Sequence, residues 1–169
     1  FGDGPRGCWP AEGGVSEETL GLLSEYGFAW AATGEGVLGH SLGSDYARYG
    51  NGDEAASSLC HPYRIESSDT ACFFRDDELS DLIGFQYSDW DAEEAVSDLI
   101  ERLEAIDEAT AGHPSAVVPI ILDGENAWEH YPENGYHFLG DLYRRLAEHP
   151  GLELTTFADA LDSGITVNP

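Results

Sequence analysis

"AVVPIILDGENAW" occupies Ala116 to Trp128, and its first seven residues decide how the chain is to be folded. Ala116 to Leu122 is apolar without a break. Strict alternation would mark a strand with one wet face, whereas a continuous apolar run marks a strand covered on both faces, as in a parallel sheet flanked by helices. The run then meets Asp123, Gly124, Glu125 and Asn126, with Trp128 just beyond. Asp-Gly reads as the tight bend at the strand's end, and Asn126 as the cap of the next segment. Two acids and an aromatic gathered at a buried strand's end are also the material of a site.

The neighbouring segments fit that strand into a larger alternation. Upstream, Asp91 caps an amphipathic helix running to about Thr110, with Ala95, Leu99, Leu103 and Ile106 on one face; Gly112 and Pro114 break it. Ala71 to Phe74 reads as a strand that runs into Arg75, Asp76 and Asp77, and Phe28 to Thr33 as a short buried strand. Ser16 opens a helix with Glu17 and Glu18 in its first turn and Leu20, Leu23 and Tyr26 on a shared face, stopped by Gly27. Downstream, Asn134-Gly135 starts a helix through Leu139, Leu142, Tyr143 and Leu146, "GLELTTF" reads as a last strand and "TFADALDS" as a short helix. The first fifteen residues read as loop. Gly34 to Ser58 is a polar, glycine-rich excursion without a clear period, long enough to suggest a functional loop or small insertion; a lid including His40 is one reading of it.

Strands alternating with helices predict βαβ units and a parallel sheet or barrel in one α/β domain. Sites in such folds form on loops beyond the carboxyl ends of the strands. Trp9 to Glu12, Thr33, Arg75 to Asp77 and Asp123 to Glu129 are then expected on one rim.

Composition narrows the partners. Asp and Glu number 33 against seven basic residues, all arginine, for a formal charge of −26. A surface this negative repels phosphate backbones and anionic membranes, which argues against nucleic-acid and lipid partners. Self-repulsion is screened where the Debye length is about 3 Å, at molar salt. The acid-rich, lysine-free composition therefore points to a high-salt host and to a fold that depends on salt; the other reading is a mildly acidic cytosolic protein from a GC-rich genome. Apolar residues at 41% place the chain with globular proteins rather than solvated acidic tails. Cys8, Cys60 and Cys72 form neither a disulfide framework nor a CxxC zinc pattern, in keeping with a reducing cytoplasm. No signal-like segment and no apolar run of membrane-spanning length occurs. The chain contains no Met and opens Phe-Gly-Asp-Gly, so it reads as an internal stretch of a longer protein. Nothing in the sequence speaks to oligomeric state.

Two segments carry the chemistry. In "GCWPAEGG" (Gly7 to Gly14) Glu12 follows Trp9 and is held between Pro10 and a glycine pair. Asp123 and Glu125 stand beside Trp128. Taken singly, each is a loop acid on an acidic surface. Taken together, one aromatic-flanked acid on each of two strand ends is what cleavage of a glycosidic bond needs: one carboxylate to attack the anomeric carbon or balance its charge, and a protonated partner to supply the leaving oxygen. An EF-hand calcium loop lacks its spacing and glycine, and His130 and His137 lack the i, i+4 spacing of a helical zinc pair.

On these residues the chain resembles glycoside hydrolase family 57, which includes α-amylases, amylopullulanases, 4-α-glucanotransferases and branching enzymes. "GCWPAEGGVS" is similar to the family's third signature, whose Glu is the nucleophile and falls on Glu12. "LDGENAWEHYPENG" is similar to the fourth, whose Asp is the general acid/base and falls on Asp123. The stretch "FFRDDELSDLIGFQYSDWDAEEAV" also looks like the amylase-type members. The resemblance implies the C-terminal part of an incomplete (β/α)7 barrel, with parallel strands and flanking helices. It implies a retaining mechanism on α-1,4 or α-1,6 glucans or maltooligosaccharides, with no metal or other cofactor required. The family's His-Gln-Pro first signature, its second region and its helical region with the fifth signature have no counterpart here. The whole chain, residues 1–169, is thus expected to be a single catalytic-barrel piece that holds both acids, lacks part of the cleft and does not turn over glucan by itself. Trp9 and Trp128 are candidates to stack on sugar faces. Glu125 either hydrogen-bonds a sugar hydroxyl or acts on Asp123 by like-charge repulsion. Arg75 and Asp76 either bind substrate or pair to hold the rim. Two other readings are a catalytically idle glycan-binding or structural barrel and a metal-dependent polysaccharide deacetylase; the latter needs a His/Asp triad that the six histidines do not assemble.

Overall fold

The structure, a computed structural model, describes residues 4–46, 48–49, 58–111, 116–125, 128–165 and 167–168. The expected helix breakers Gly112 and Pro114, the expected cap Asn126 and residues 47 and 50–57 of the 34–58 excursion lie outside them. At its centre is a parallel sheet of β1 (Gly7–Cys8), β2 (Trp30–Gly34) and β3 (Ala71–Arg75), in spatial order β1-β2-β3. Helix α1 (Glu17–Glu25) joins the first two strands, and α2 (Glu35–Leu42) starts directly from β2. Both faces of the sheet are covered, because successive strand residues point to opposite sides. Cys72 and Phe74 of β3 pack with Leu38 of α2 and with Leu59. On the other side Phe73 stacks on Phe157 of α6 (Phe157–Asp162), ring centroids 4.3 Å apart, and Trp30 meets the same ring edge-on at 5.0 Å. Gly7 is required for this. A Cβ there would stand 1.8 Å from the Trp30 indole.

The larger core is helical. α4 (Ala92–Ala109) buries Ala95, Val96, Leu99, Leu103 and Ile106 against Phe138, Leu142 and Leu146 of α5 (Tyr136–Glu148), with Leu79, Leu82 and Ile83 from α3 (Asp77–Asp81) and the π-helical turn after it. Its N-terminus is closed by the Asp91 carboxylate, which accepts from the N–H groups of Glu93 and Glu94, and Ser16 closes α1 through Thr19 N. Such caps contribute about 1 kcal/mol each. No helix of the described residues is long and apolar enough to cross a membrane.

Four expectations are corrected. Gly7–Cys8 is a strand, not loop: it pairs with Trp30 and Ala31 despite its flexible composition. Residues 35–42 form a helix, which Gly36 and Gly39 disguised. Residues 116–122 lie beside the end of β3 but join no ladder: Pro119 has no N–H to give, and the Ile121 N–H goes to Ser80 Oγ at 3.1 Å. Alternate residues Ala116, Val118, Ile120 and Leu122 still pack on the helical core, while Pro119 is fully buried. Residues 152–156 lead into α6 without forming a strand. Among helix faces, Leu20 is buried as expected, but Tyr26, which follows the last residue of α1, is 80% exposed, and Tyr143 is 57% exposed.

Candidate active site

Parallel pairing brings the carboxyl ends of β1, β2 and β3 to one side of the sheet. Past β1, residues Ala11–Gly13 make a tight turn in which Gly13 N donates to Pro10 O (2.9 Å) and Gly14 N to Ala11 O (3.0 Å). Glu12 and Gly13 are both left-handed, with φ of 53° and 69°. Gly13 suits that conformation and also lies under the Trp9 ring: a Cβ there would meet Trp9 Cζ2 at 2.8 Å. For Glu12 the same conformation is strained. Covering Gly13 still leaves Trp9 42% exposed. From the adjacent strand, the buried Thr33 donates its Oγ1–H to Gly13 O at 2.5 Å. Glu12 is exposed and opens on a groove of about 650 Å³, lined also by Thr33, Gly36, Val37, His40 and Ser41.

Asp123 and Glu125 are both exposed, and Asp123 Oδ1 accepts from Glu125 N at 2.8 Å, so one of its oxygens organises the Asp-Gly bend. Trp128 is half-buried, its ring 5.4 Å from Tyr131 and 6.1 Å from Phe138. A Cβ on Gly135 would approach it to 2.9 Å. Trp128 therefore anchors the far end of the loop to the helical core. Tyr131 adds a second tie, its hydroxyl donating to Ile83 O at 2.5 Å.

Arg75 and Asp76 do not pair with each other. Arg75 forks onto Asp77 (2.8 Å) and Asp81 (2.6 Å), and its Nε donates to Ile121 O (2.9 Å), which ties residues 116–122 to β3. Asp76 is 0% exposed. Its Oδ1 accepts from Leu79 N (2.9 Å), capping α3, and from Arg48 Nη2 (2.7 Å); Oδ2 has no partner among the described residues. Burial raises the Asp76 carboxyl above the usual aspartate range, against the opposing pull of the Leu79 N–H and Arg48.

The centre of this network is absent from the sequence-based expectations. Arg48 also holds Glu35 (3.0 Å) and Glu78, while Glu35 accepts from Tyr46 and from Asp77 N (3.3 Å). Burial, then the hydrogen bond to Glu35, pushes the Tyr46 hydroxyl upward. These groups line a second groove of about 620 Å³ that shares Gly36 and His40 with the first. The sequence signal is faint: Glu35 follows a strand, Leu38 and Leu42 are four apart, and Arg48 is a scarce cation among acids. Among the described residues no group of three or more His, Cys, Asp or Glu is arranged to hold a metal ion. His40, His130, His137 and His149 instead lie against Gly36 O, Glu129, Glu133 and Glu104 respectively.

No curated protein gives a match to this chain. A 4-alpha-glucanotransferase from Thermococcus litoralis superposes with a TM-score of 0.66 at 19% identity, over 97% of this chain and 24% of that one. The likeness is one of fold: an α/β arrangement with a parallel sheet and flanking helices. This chain spans about a quarter of that enzyme's length. The profile of Glycosyl hydrolase family 57 matches residues 1–169, its whole length, and the chain belongs to that family.

Proposed function

We propose that this chain supplies the catalytic acids of a retaining glycoside hydrolase or transglycosylase acting on α-1,4 or α-1,6 glucans. The observation that carries the reading is the family match across residues 1–169. Glu12 attacks the anomeric carbon as the glycosidic C–O bond breaks, and Asp123 gives its proton to the departing oxygen. Water or an acceptor sugar hydroxyl then attacks the glycosyl ester on Glu12, losing its proton to Asp123, and both carboxyls return to their starting forms. Trp9 and Trp128 stack on sugar faces and Glu125 binds a hydroxyl. Arg75 and Asp76 serve the site indirectly, by holding the rim on which the sugar lies.

The architecture behind this is one piece of a (β/α)7 barrel, residues 1–169. In a singly wound barrel each strand lies beside the next in chain order, and β1, β2 and β3 do so. The Asp76 N to Pro119 O bond of 2.8 Å, which ties residues 116–122 to the end of β3, supports giving that segment the next place in the order. In the full-length protein Glu12→Gln is expected to lose turnover of maltooligosaccharide while calorimetry still registers binding. Undiminished turnover in that variant would remove Glu12 from the mechanism.

A further inference from the structure

The β1–β2 ladder pairs Gly7 with Trp30 and Cys8 with Ala31 and goes no further along β1. Beyond Cys8 the turn that carries Glu12 has left the sheet. Thr33, two residues past the last β2 position that pairs with β1, reattaches it: its hydroxyl, wholly out of solvent, reaches the Gly13 carbonyl at 2.5 Å. That carbonyl follows two consecutive left-handed residues, Glu12 and Gly13. Left to itself, a glutamate leaves that conformation for extended or right-handed backbone, and its carboxylate swings with it. The Trp9 ring over Gly13 limits the turn from one side, and Thr33 fixes it from the strand.

We propose that Thr33 is a positioning residue for Glu12: its hydroxyl holds the Gly13 carbonyl and thereby the left-handed turn that presents the Glu12 carboxylate to the groove. The proposal rests on the reading of Glu12 as nucleophile. Although Thr33 borders the groove, it has no exposed surface to offer a substrate, so its hydroxyl acts through the Gly13 backbone. Loss of its hydroxyl therefore slows formation of the glycosyl–enzyme while leaving binding largely intact.

The test uses the full-length protein and three variants. Thr33→Val keeps the shape and removes the hydroxyl, and Thr33→Ser and Thr33→Ala differ from each other only in that hydroxyl. Active sites are counted by trapping with a 5-fluoro-glucosyl fluoride, and kcat per trapped site is measured on a maltooligosaccharide. A misplacement on the order of 1 Å costs up to about 100-fold, so Thr33→Val and Thr33→Ala should lose about 10- to 100-fold in kcat per site. KM should stay within about two-fold, and Thr33→Ser should keep most of the parent rate. A purely structural role would lower the number of trapped sites and leave kcat per site unchanged. If Thr33→Val does not accumulate folded, the Ser/Ala pair still decides: equal kcat per site in those two overturns the proposal. Glu12→Gln is run alongside. Full turnover there, or a trapped adduct that maps elsewhere, overturns the nucleophile reading itself. An inactive Glu12→Gln with parental rates in all three Thr33 variants overturns only the positioning role.

Discussion

Asp76, at the end of β3, and Glu12, past the end of β1, stand on either side of β2 at the same rim, but they are held in opposite ways. Asp76 is sealed from solvent, caps a helix, grips Arg48 and has a carboxyl raised by burial. Glu12 is exposed, and its backbone rather than its side chain is what the surroundings constrain. A buried, partnered carboxylate has its geometry taken up by the protein. An exposed acid on strained backbone keeps its carboxylate available to a ligand, and strain of this kind persists only where the surroundings over-determine it. On an acidic surface, this difference separates candidate chemistry from scaffolding better than acid content does.

The sharpest way to break the comparison is at the second exposed acid. In the full-length protein Asp123→Asn should cost roughly 10²–10⁴-fold in kcat on unactivated glucan, the usual yield of general acid catalysis. The first step on a glucosyl fluoride should be nearly unaffected, because fluoride leaves without a proton. An equal loss on both substrates would mean that Asp123 does something other than protonate. Asp76 should answer on the other axis. Asp76→Ala removes the cap of α3 and a buried charge-assisted bond, with an expected stability loss on the order of 2 kcal/mol in chaotrope unfolding. A loss near zero would place Asp76 outside the scaffold.

The pH response of Asp76 sharpens the point. Its folded-state carboxyl is raised above the unfolded value, so the folded state holds the proton more tightly. Its contribution to stability is therefore fully present below the ordinary aspartate range, near 3.8, and is lost as pH rises through the raised value. Asp76→Asn, which cannot ionise and keeps an acceptor for Leu79 N, should flatten that fall in unfolding midpoint against pH. The smallest effect is at Glu12 itself. Glu12→Gly relieves the left-handed strain and should raise stability by up to about 1 kcal/mol, read as a higher unfolding midpoint, although it deletes the proposed nucleophile. Destabilisation there would show that the turn depends on the Glu12 side chain.

Much of this arrangement is legible in the residues, and the parts that are not have physical causes. Ser16 and Asp91 announce α1 and α4 because a capping side chain acts on N–H groups two or three residues away. The core face of α4 comes from period alone. β1 is invisible because two residues carry no period, and Gly7 is there to admit the Trp30 ring from another strand. α2 is hidden by glycines that dilute its pattern, while its buried Leu38 needs Cys72 and Phe74 to make sense of it. The apolar run of "AVVPIIL" predicts a strand covered on both faces, but Pro119 and the diversion of the Ile121 N–H to Ser80 keep it out of the ladder, and of its residues only Pro119 is buried. The Arg75–Asp76 neighbours look like a pair and are not one, since adjacent residues leaving a strand point to opposite sides.

The sequence by itself determined what depends on neighbours along the chain: the caps, the helix periods, the Asp-Gly bend at Asp123, the rigid Pro10–Gly14 setting of Glu12, and the signature text of the family. Only the tertiary structure decided which acids are sealed and which are open. That outcome hangs on partners far away in sequence: Arg48 for Asp76 and Thr33 for the turn at Glu12. A carboxylate's fate is set by the donors and the water around it, and folding brings those from elsewhere in the chain.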